Sequence, residues 1–252
     1  MSNIDIKNSE QLVQDVLHNL NSSGIHCLEN VIDDNLQKKF SEEVIKLLKS
    51  KGKRYFSLVD VMSEKDSPYQ ALSENDEFTS FLITLSKAAL NREISKSDSL
   101  NVLRIVAGKK TDTKSFEFHY DAYSLTALIP IIIPDGPLEK SGHLVIFPNL
   151  RKFRSIFLIN LLEKILFQNS FMCKILSKII MLNLEKYAYL MKPGNVYLFW
   201  GYRSLHANLP VDPSYTRATL LYHFGDVHPK SVGNKVIKFT RHTIEKVNVD
   251  NN

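Results

Sequence analysis

Two side chains that can bind a metal ion lie close together in the sequence, at His119 and Asp121. They belong to the stretch FEFHYDAY at 116–123, whose β-favouring residues predict a short strand over 116–119. On an extended segment, residues i and i+2 project from the same face, so one imidazole and one carboxylate are expected to converge, while Tyr120 points away. Taken alone, the two residues are equally compatible with an ordinary hydrogen-bonded pair on a solvated strand.

A third metal ligand has to come from another part of the chain, and the candidate is His206. It follows a Pro-Gly turn at 193–194 and a predicted strand at 195–200, in or just after the next turn. Two histidines and one carboxylate on one face of a metal leave the opposite positions open, which suits oxygen-activating non-haem Fe(II). The sequence therefore predicts a catalytic iron site with His119, Asp121 and His206 as its ligands.

A strand predicted over 216–224 carries a candidate anion-binding residue, Arg217, with Thr219 on the same face. A guanidinium buried in a barrel strand is costly without an anionic partner, and a planar carboxylate is its natural bidentate partner. The far carboxylate of 2-oxoglutarate can supply that anion while its keto-acid end chelates the iron. Pairing of Arg217 with Asp212 or Asp226 is the alternative interpretation.

The order of these motifs resembles that of the Fe(II)/2-oxoglutarate-dependent dioxygenase superfamily, over roughly residues 24–224. The shared pattern is His-x-Asp, a long gap, a distal His after a Pro-Gly strand, and Arg-x-Thr eleven residues later. Within the superfamily, the stretches GIHCLENVIDD at 24–34 and SGHLVIFP at 141–148 are similar to the phytanoyl-CoA dioxygenase-like group. The Gly-Ser-His that usually follows this proline in the group is absent.

The resemblance implies that Fe(II), 2-oxoglutarate and O₂ are used together. The implied reaction is hydroxylation of an unactivated C–H bond of a small molecule (an amino acid, a sugar acid, a lipid or a natural product), with release of succinate and CO₂. Two other functions stay open, namely a non-catalytic jelly-roll binding module and a cupin-type metalloenzyme that does not use 2-oxoglutarate. The intact ligand set disfavours the first, and Arg217 with Thr219 disfavours the second.

Other polar residues near these motifs have weaker indications of function. Arg104, in a predicted strand at 100–106, is a candidate for binding the chelating end of 2-oxoglutarate or an anionic substrate, and otherwise a sheet-edge residue. Trp200 is predicted to pack in the core below the distal histidine. Candidate pocket residues, each of which can equally be structural, are Tyr123, Thr126, Tyr202 and Arg203. Histidines without the spacing of the ligand set, predicted not to bind the metal, are His143, His223 and His228.

The hydrophobic periodicity predicts an α+β fold in a single domain over residues 1–252. Helices are predicted at 9–20, from Asp33 or Asp34 to about residue 48, and at 77–90. Short strands then begin near residue 100, are interrupted by a helical block at 155–190, and end with a possible strand at 232–239. This order predicts a double-stranded β-helix (jelly-roll) core, flanked by the N-terminal helices, with a helical insert between core strands.

The net charge of +5 is concentrated at 151–192, which holds eight basic and two acidic residues, so a nucleic-acid partner is not expected. This segment is predicted to be a lid or dimer contact. Its basic and apolar residues also fit a peripheral membrane contact. The two distant cysteines and the polar N-terminal residues predict a cytoplasmic location. The oligomeric state and the substrate cannot be predicted.

Overall fold

The computed structural model describes residues 4–6, 9–109, 115–153 and 170–228. The predicted strand at 232–239 and most of the first half of the predicted helical block lie outside these residues. The helices, numbered in chain order, are α1 Glu10–Ser22, α2 Asp34–Lys51, α3 Gln70–Glu74, α4 Asp76–Leu90, α5 Ser170–Leu182 and α6 Leu184–Tyr187. Short 3₁₀ helices lie at Val61–Ser63, Lys96–Asp98 and Leu138–Lys140.

The strands form two antiparallel sheets, of six and of three strands. They are β1 Ile25–Leu28, β2 Phe56–Val59, β3 Ser99–Ala107, β4 Tyr123–Ile132, β5 Leu144–Phe147, β6 Ala188–Tyr189, β7 Val196–Phe199, β8 Leu205–Asn208 and β9 Thr216–Asp226. The large sheet has the order β1-β7-β4-β9-β3-β2 and the small sheet the order β6-β5-β8.

The N-terminal helices cover one face of the large sheet. Polar caps begin the three long ones, because the side chains of Ser9, Asp33 and Asn75 each accept a hydrogen bond from a backbone N–H in the first turn. Their apolar faces pack on alternate residues of β3 and β9, such as Leu103 and Leu220. Trp200 is buried in the same cluster, as predicted for a core residue.

The opposite face of the large sheet is turned toward the small sheet. Val102, Leu128 and Leu221 from the large sheet form a buried cluster with Leu144 and Ile146 from the small sheet. The two sheets therefore enclose a second apolar layer. The chain is a mixed α and β protein with a β-sheet core, as the sequence predicts.

The described part of the helical block differs from its prediction. Its last residues form strand β6. Helix α5 packs through Ile180 against Val145 and Ala207, in the cluster on the face of the small sheet that points away from the large sheet. None of the helices in the described part of the chain has the length and apolar character needed to cross a membrane.

Candidate metal centre

The three predicted metal ligands come together in the structure. One ligand atom from each of His119, Asp121 and His206 can be chosen so that all lie within 4.8 Å of one another. Nε2 of His119 is 3.8 Å from Oδ1 of Asp121, and Nε2 of His206 is 3.6 Å from Oδ2. The group is largely buried, and two imidazoles with one carboxylate form a donor set that suits iron.

Backbone hydrogen bonds hold the segments that carry the ligands. The backbone N–H groups of His119 and His206 each donate to the other residue's carbonyl oxygen at 3.0 Å, and the N–H of Asp121 donates to the Gly201 carbonyl at 3.0 Å. The regular strand predicted over 116–119 is wrong, since only this isolated bridge at His119 forms and Phe116 has a left-handed backbone, with φ of +53°. His206 lies in strand β8, just after the turn at 201–203, which agrees with the second of the two positions predicted for it.

Both histidine rings are oriented by hydrogen bonds on the nitrogen that faces away from the cluster. Nδ1 of His119 is 2.8 Å from the Glu117 carbonyl oxygen, and Nδ1 of His206 is 3.0 Å from that of Ser204. A carbonyl oxygen can only accept, so Nδ1 carries a proton in each ring, and in the neutral form of the ring Nε2 has the free lone pair. Metal-binding histidines are typically oriented in this way.

A hydroxyl and a third histidine support the carboxylate. Thr126 donates to Oδ2 of Asp121 at 2.5 Å, and its oxygen is 3.0 Å from Nδ1 of His223. Because the threonine proton is directed to the carboxylate, His223 acts as the donor in the second contact. Burial alone would raise the pKa of Asp121, but His206, His223, His119 and the Thr126 hydrogen bond outweigh it and hold the pKa well below its ordinary value.

Burial has the largest effect on the pKa of His119. It lowers the pKa of His119 well below the ordinary value, and His206 lowers it further, against the opposing effect of Asp121. His119 is therefore neutral at physiological pH, the form that binds metals.

The carboxylate lies so close to Gly201 that no side chain fits there. A Cβ at Gly201 would overlap Oδ2 of Asp121 and the hydroxyl oxygen of Thr126. The turn Gly201–Arg203 after β7 thus brings the backbone into direct contact with the Asp121 carboxylate.

The predicted anion anchor lies on the inner face of the large sheet. Arg217, Thr219 and His223 alternate along β9 and so share one face. Arg217 is only 4% exposed, its Nε has no hydrogen-bond partner, and no ion pair with Asp212 or Asp226 is present among the described residues. Burial and then the nearby Arg104 lower the pKa of Arg217 to about 10, so it remains a cation at neutral pH.

The structure places Arg104 on this face too, because it pairs directly with Thr219 across β3 and β9. Its Nε is buried without a hydrogen-bond partner. Among the residues described, Ser57 is its neighbour on the other side, from β2.

The other residues named from the sequence have mixed positions. Tyr123 stacks on His223, with 5.5 Å between the ring centroids, and His223 in turn contacts the Thr126 hydroxyl that donates to Asp121. Tyr202 and Arg203 instead contact Phe153, and Arg203 donates to Asn21. His143, His223 and His228 are not part of the ligand cluster.

Sequence reasoning missed the supporting roles of Thr126, His223 and Gly201. The sequence indicates Thr126 only as a candidate pocket residue near the motif, and it predicts only that His223 does not bind the metal. The alternation of Thr126 and Leu128 with apolar neighbours could have indicated that the threonine faces inward. No signal in the sequence shows which histidine it meets.

No family model and no curated protein sequence match this chain. Solved structures do match it. A prolyl 4-hydroxylase from Phytophthora capsici is similar with a TM-score of 0.57 at 14% identity, covering 99% of this chain and 78% of that one. A Pseudomonas putida prolyl-4-hydroxylase has a TM-score of 0.52 at 11% identity, covering 84% and 98%. The epimerase SnoN, solved with Fe³⁺, alpha ketoglutarate and nogalamycin RO, has a TM-score of 0.55 at 10% identity, covering 90% of each chain. The chain therefore shares the fold of these enzymes.

Proposed function

We propose that this chain is an Fe(II)- and 2-oxoglutarate-dependent oxygenase that hydroxylates a small molecule. The observation that carries the proposal is the combination of the His119, Asp121 and His206 cluster with the buried side chain of Arg217, whose Nε has no hydrogen-bond partner. The fold it shares with SnoN, whose structure contains Fe³⁺ and alpha ketoglutarate, supports this assignment.

The residues fit the proposed cofactors. The two Nε2 lone pairs and the Asp121 carboxylate would hold Fe(II), and Arg217 would bind the far carboxylate of 2-oxoglutarate, with Thr219 beside it on the strand. When bound, iron with 2-oxoglutarate and O₂ supplies the oxidising power that C–H hydroxylation requires.

The chain's own residues have three tasks in this reaction. Asp121 stays ionised because its pKa lies well below the ordinary value, and Thr126 donates a hydrogen bond to the charged carboxylate, so it is available as a ligand over the whole neutral pH range. His119 stays neutral because it is buried. Leu128, Leu144 and Leu221 form a buried apolar cluster between the two sheets, which would keep water away from this side of the site.

The finer assignments belong to the same proposal. The two facing sheets are expected to close into a double-stranded β-helix, within one domain over 1–252. The likeness to the phytanoyl-CoA dioxygenase-like group rests on sequence motifs, and the substrate is expected to be an amino acid, a sugar acid, a lipid or a natural product. A cytoplasmic location and a membrane or partner contact through 151–192 are also proposed from the sequence.

The proposal is tested by absorbance of the purified metal-free protein under anaerobic conditions. Fe(II) is added first and 2-oxoglutarate second, and a weak charge-transfer band at roughly 500 nm is expected from a keto acid that chelates iron held by two histidines and a carboxylate. The band should be lost in His119→Ala. In Arg217→Gln it should appear only at much higher concentrations of 2-oxoglutarate. Arg92→Gln, which removes an arginine that pairs with Asp98, is the control and should behave as wild type.

The other outcomes separate the alternatives. If iron binds but 2-oxoglutarate produces no band, a cupin-type metalloenzyme is the better interpretation. If iron does not bind, the chain is a binding module that keeps only the fold. If the band forms equally well in Arg217→Gln, the anchor has been assigned to the wrong residue.

A further inference from the structure

The inner face of the large sheet carries a second arginine, Arg104, in addition to the proposed co-substrate anchor. Arg104 faces inward between two hydroxyl residues, with Ser57 opposite it on β2 and Thr219 opposite it on β9. Its neighbours along β3 on the same face are Val102 and Val106. None of these residues is acidic, so no cross-strand partner neutralises the guanidinium.

Arg104 lies close to the co-substrate anchor, because it pairs with Thr219, two residues along β9 from Arg217. Its charge acts on both His119 and Arg217. Among the described residues, the other titratable groups that interact with Arg217 are Tyr55 and His143, and neither is a carboxylate. Both arginines have an Nε that is buried without a hydrogen-bond partner.

The charges of the loaded site indicate what Arg104 is for. Fe(II) carries two positive charges and Arg217 one, while 2-oxoglutarate carries two negative charges and Asp121 one. The site is therefore neutral before Arg104 is counted, and Arg104 leaves it with one positive charge. An uncompensated charge in a cavity is costly, so the complete site favours one additional anion.

We infer that the substrate carries a carboxylate group and that Arg104 binds this group on the inner face of the large sheet. The inference rests on the proposed function. A single excess positive charge matches a carboxylate, whereas a phosphate monoester carries roughly 1.5 to 2 negative charges at neutral pH. The planar guanidinium also matches a carboxylate in two parallel hydrogen bonds.

The inference is tested by thermal denaturation of the protein loaded with Mn(II) and 2-oxoglutarate, which does not turn over. The probes are monocarboxylates of graded size, including hexanoate, benzoate and phenylpropionate, each paired with its neutral primary amide. At least one acid should raise the melting temperature by several degrees while its amide does not. Arg104→Gln should abolish that difference, and Arg104→Lys should retain part of it. Circular dichroism of both variants checks that they fold.

Calorimetry with 2-oxoglutarate on the Mn(II) protein separates the possible failures. Arg104→Gln should change the Kd of 2-oxoglutarate by less than about threefold, whereas Arg217→Gln should raise it at least tenfold. If Arg104→Gln raises the Kd of 2-oxoglutarate as much as Arg217→Gln does, Arg104 belongs to the co-substrate site and the inference is overturned. It is also overturned if no acid raises the melting temperature more than its amide does. The same holds if inorganic phosphate raises the melting temperature more than every carboxylate. If wild type does not bind 2-oxoglutarate at all, the proposed function itself fails.

Discussion

The side chain of Arg217 crosses the backbone of Gly142 so closely that a Cβ at Gly142 would overlap its Cδ atom. The same Cβ would lie 2.6 Å from Val211 Cγ2, and Gly142 has a left-handed backbone with φ of +69°. The absence of a side chain at 142 therefore determines where the guanidinium can lie.

Gly142→Ala should displace Arg217 and weaken the binding of 2-oxoglutarate. Overpacking typically costs about 1–3 kcal/mol, so the Kd measured by calorimetry should rise roughly tenfold or more. Gly52→Ala is the matched control, because Gly52 has a similar φ of +80° but nothing within 4 Å of its added Cβ. It should lose stability from backbone strain alone and keep the wild-type Kd. Equal Kd values in all three proteins would contradict the prediction.

Thr126→Val keeps the shape of the side chain but removes the hydroxyl that donates to Asp121. The pKa of Asp121 should rise, and metal affinity should fall roughly 10- to 100-fold, as is usual when the support of a metal ligand is removed. Titration with Mn(II), followed by electron paramagnetic resonance, measures the change. Thr126→Ser should stay near wild type.

Thr84→Val controls for loss of a hydroxyl as such, since Thr84 bonds only a carbonyl on the exposed side of α4. It should bind Mn(II) as wild type does. An unchanged affinity in Thr126→Val would show that the hydrogen bond does not support the ligand.

The metal-free protein should lose stability as the pH falls below about 6.5. The folded-state pKa of His119 is depressed by burial, so below the ordinary pKa the unfolded chain binds more protons than the folded one. Stability therefore increases with pH in the window between the depressed pKa and about 6.5, by up to about 1.4 kcal/mol per pH unit. Urea denaturation at pH 7 and pH 5 measures this loss.

His119→Gln should lose less stability between these two pH values than wild type. The slope that remains is expected from His26, His143 and His228, whose pKa values burial also lowers. If the variant loses as much stability between pH 7 and pH 5 as wild type does, His119 is not held neutral by the fold.

Helix α5 is predicted to contribute to stability through its inward face. Ile180 is fully buried against the outer face of the small sheet, so Ile180→Ala should lower the free energy of unfolding by about 2–5 kcal/mol. Leu182→Ala, two residues away and 81% exposed, should change it by less than about 0.5 kcal/mol. Chemical denaturation of both variants measures the difference. If the two losses are equal, the helix is not docked on the small sheet.

The grouping of His119, Asp121 and His206 could be predicted from local patterns. The two-residue period places His119 and Asp121 together, and the Pro-Gly turn and strand before His206, with Arg-x-Thr eleven residues later, identify His206 and Arg217 as candidates. The pairing of Thr126 with His223 could not be predicted, since it depends on the register between β4 and β9 rather than on either segment. Likewise, the amphipathic pattern of α5 predicts a helix but does not show which sheet face it covers.

The paired backbone hydrogen bonds between His119 and His206 make two of the proposed metal ligands part of one small unit of sheet. Because successive residues in such a pairing point to opposite sides, a shift by a single residue would turn one imidazole away from the other ligands. A divalent metal ion can thus be held by all three ligands in only one alignment of these distant segments. Metal affinity is therefore a direct readout of whether the chain has closed correctly during folding, separate from any measure of catalysis.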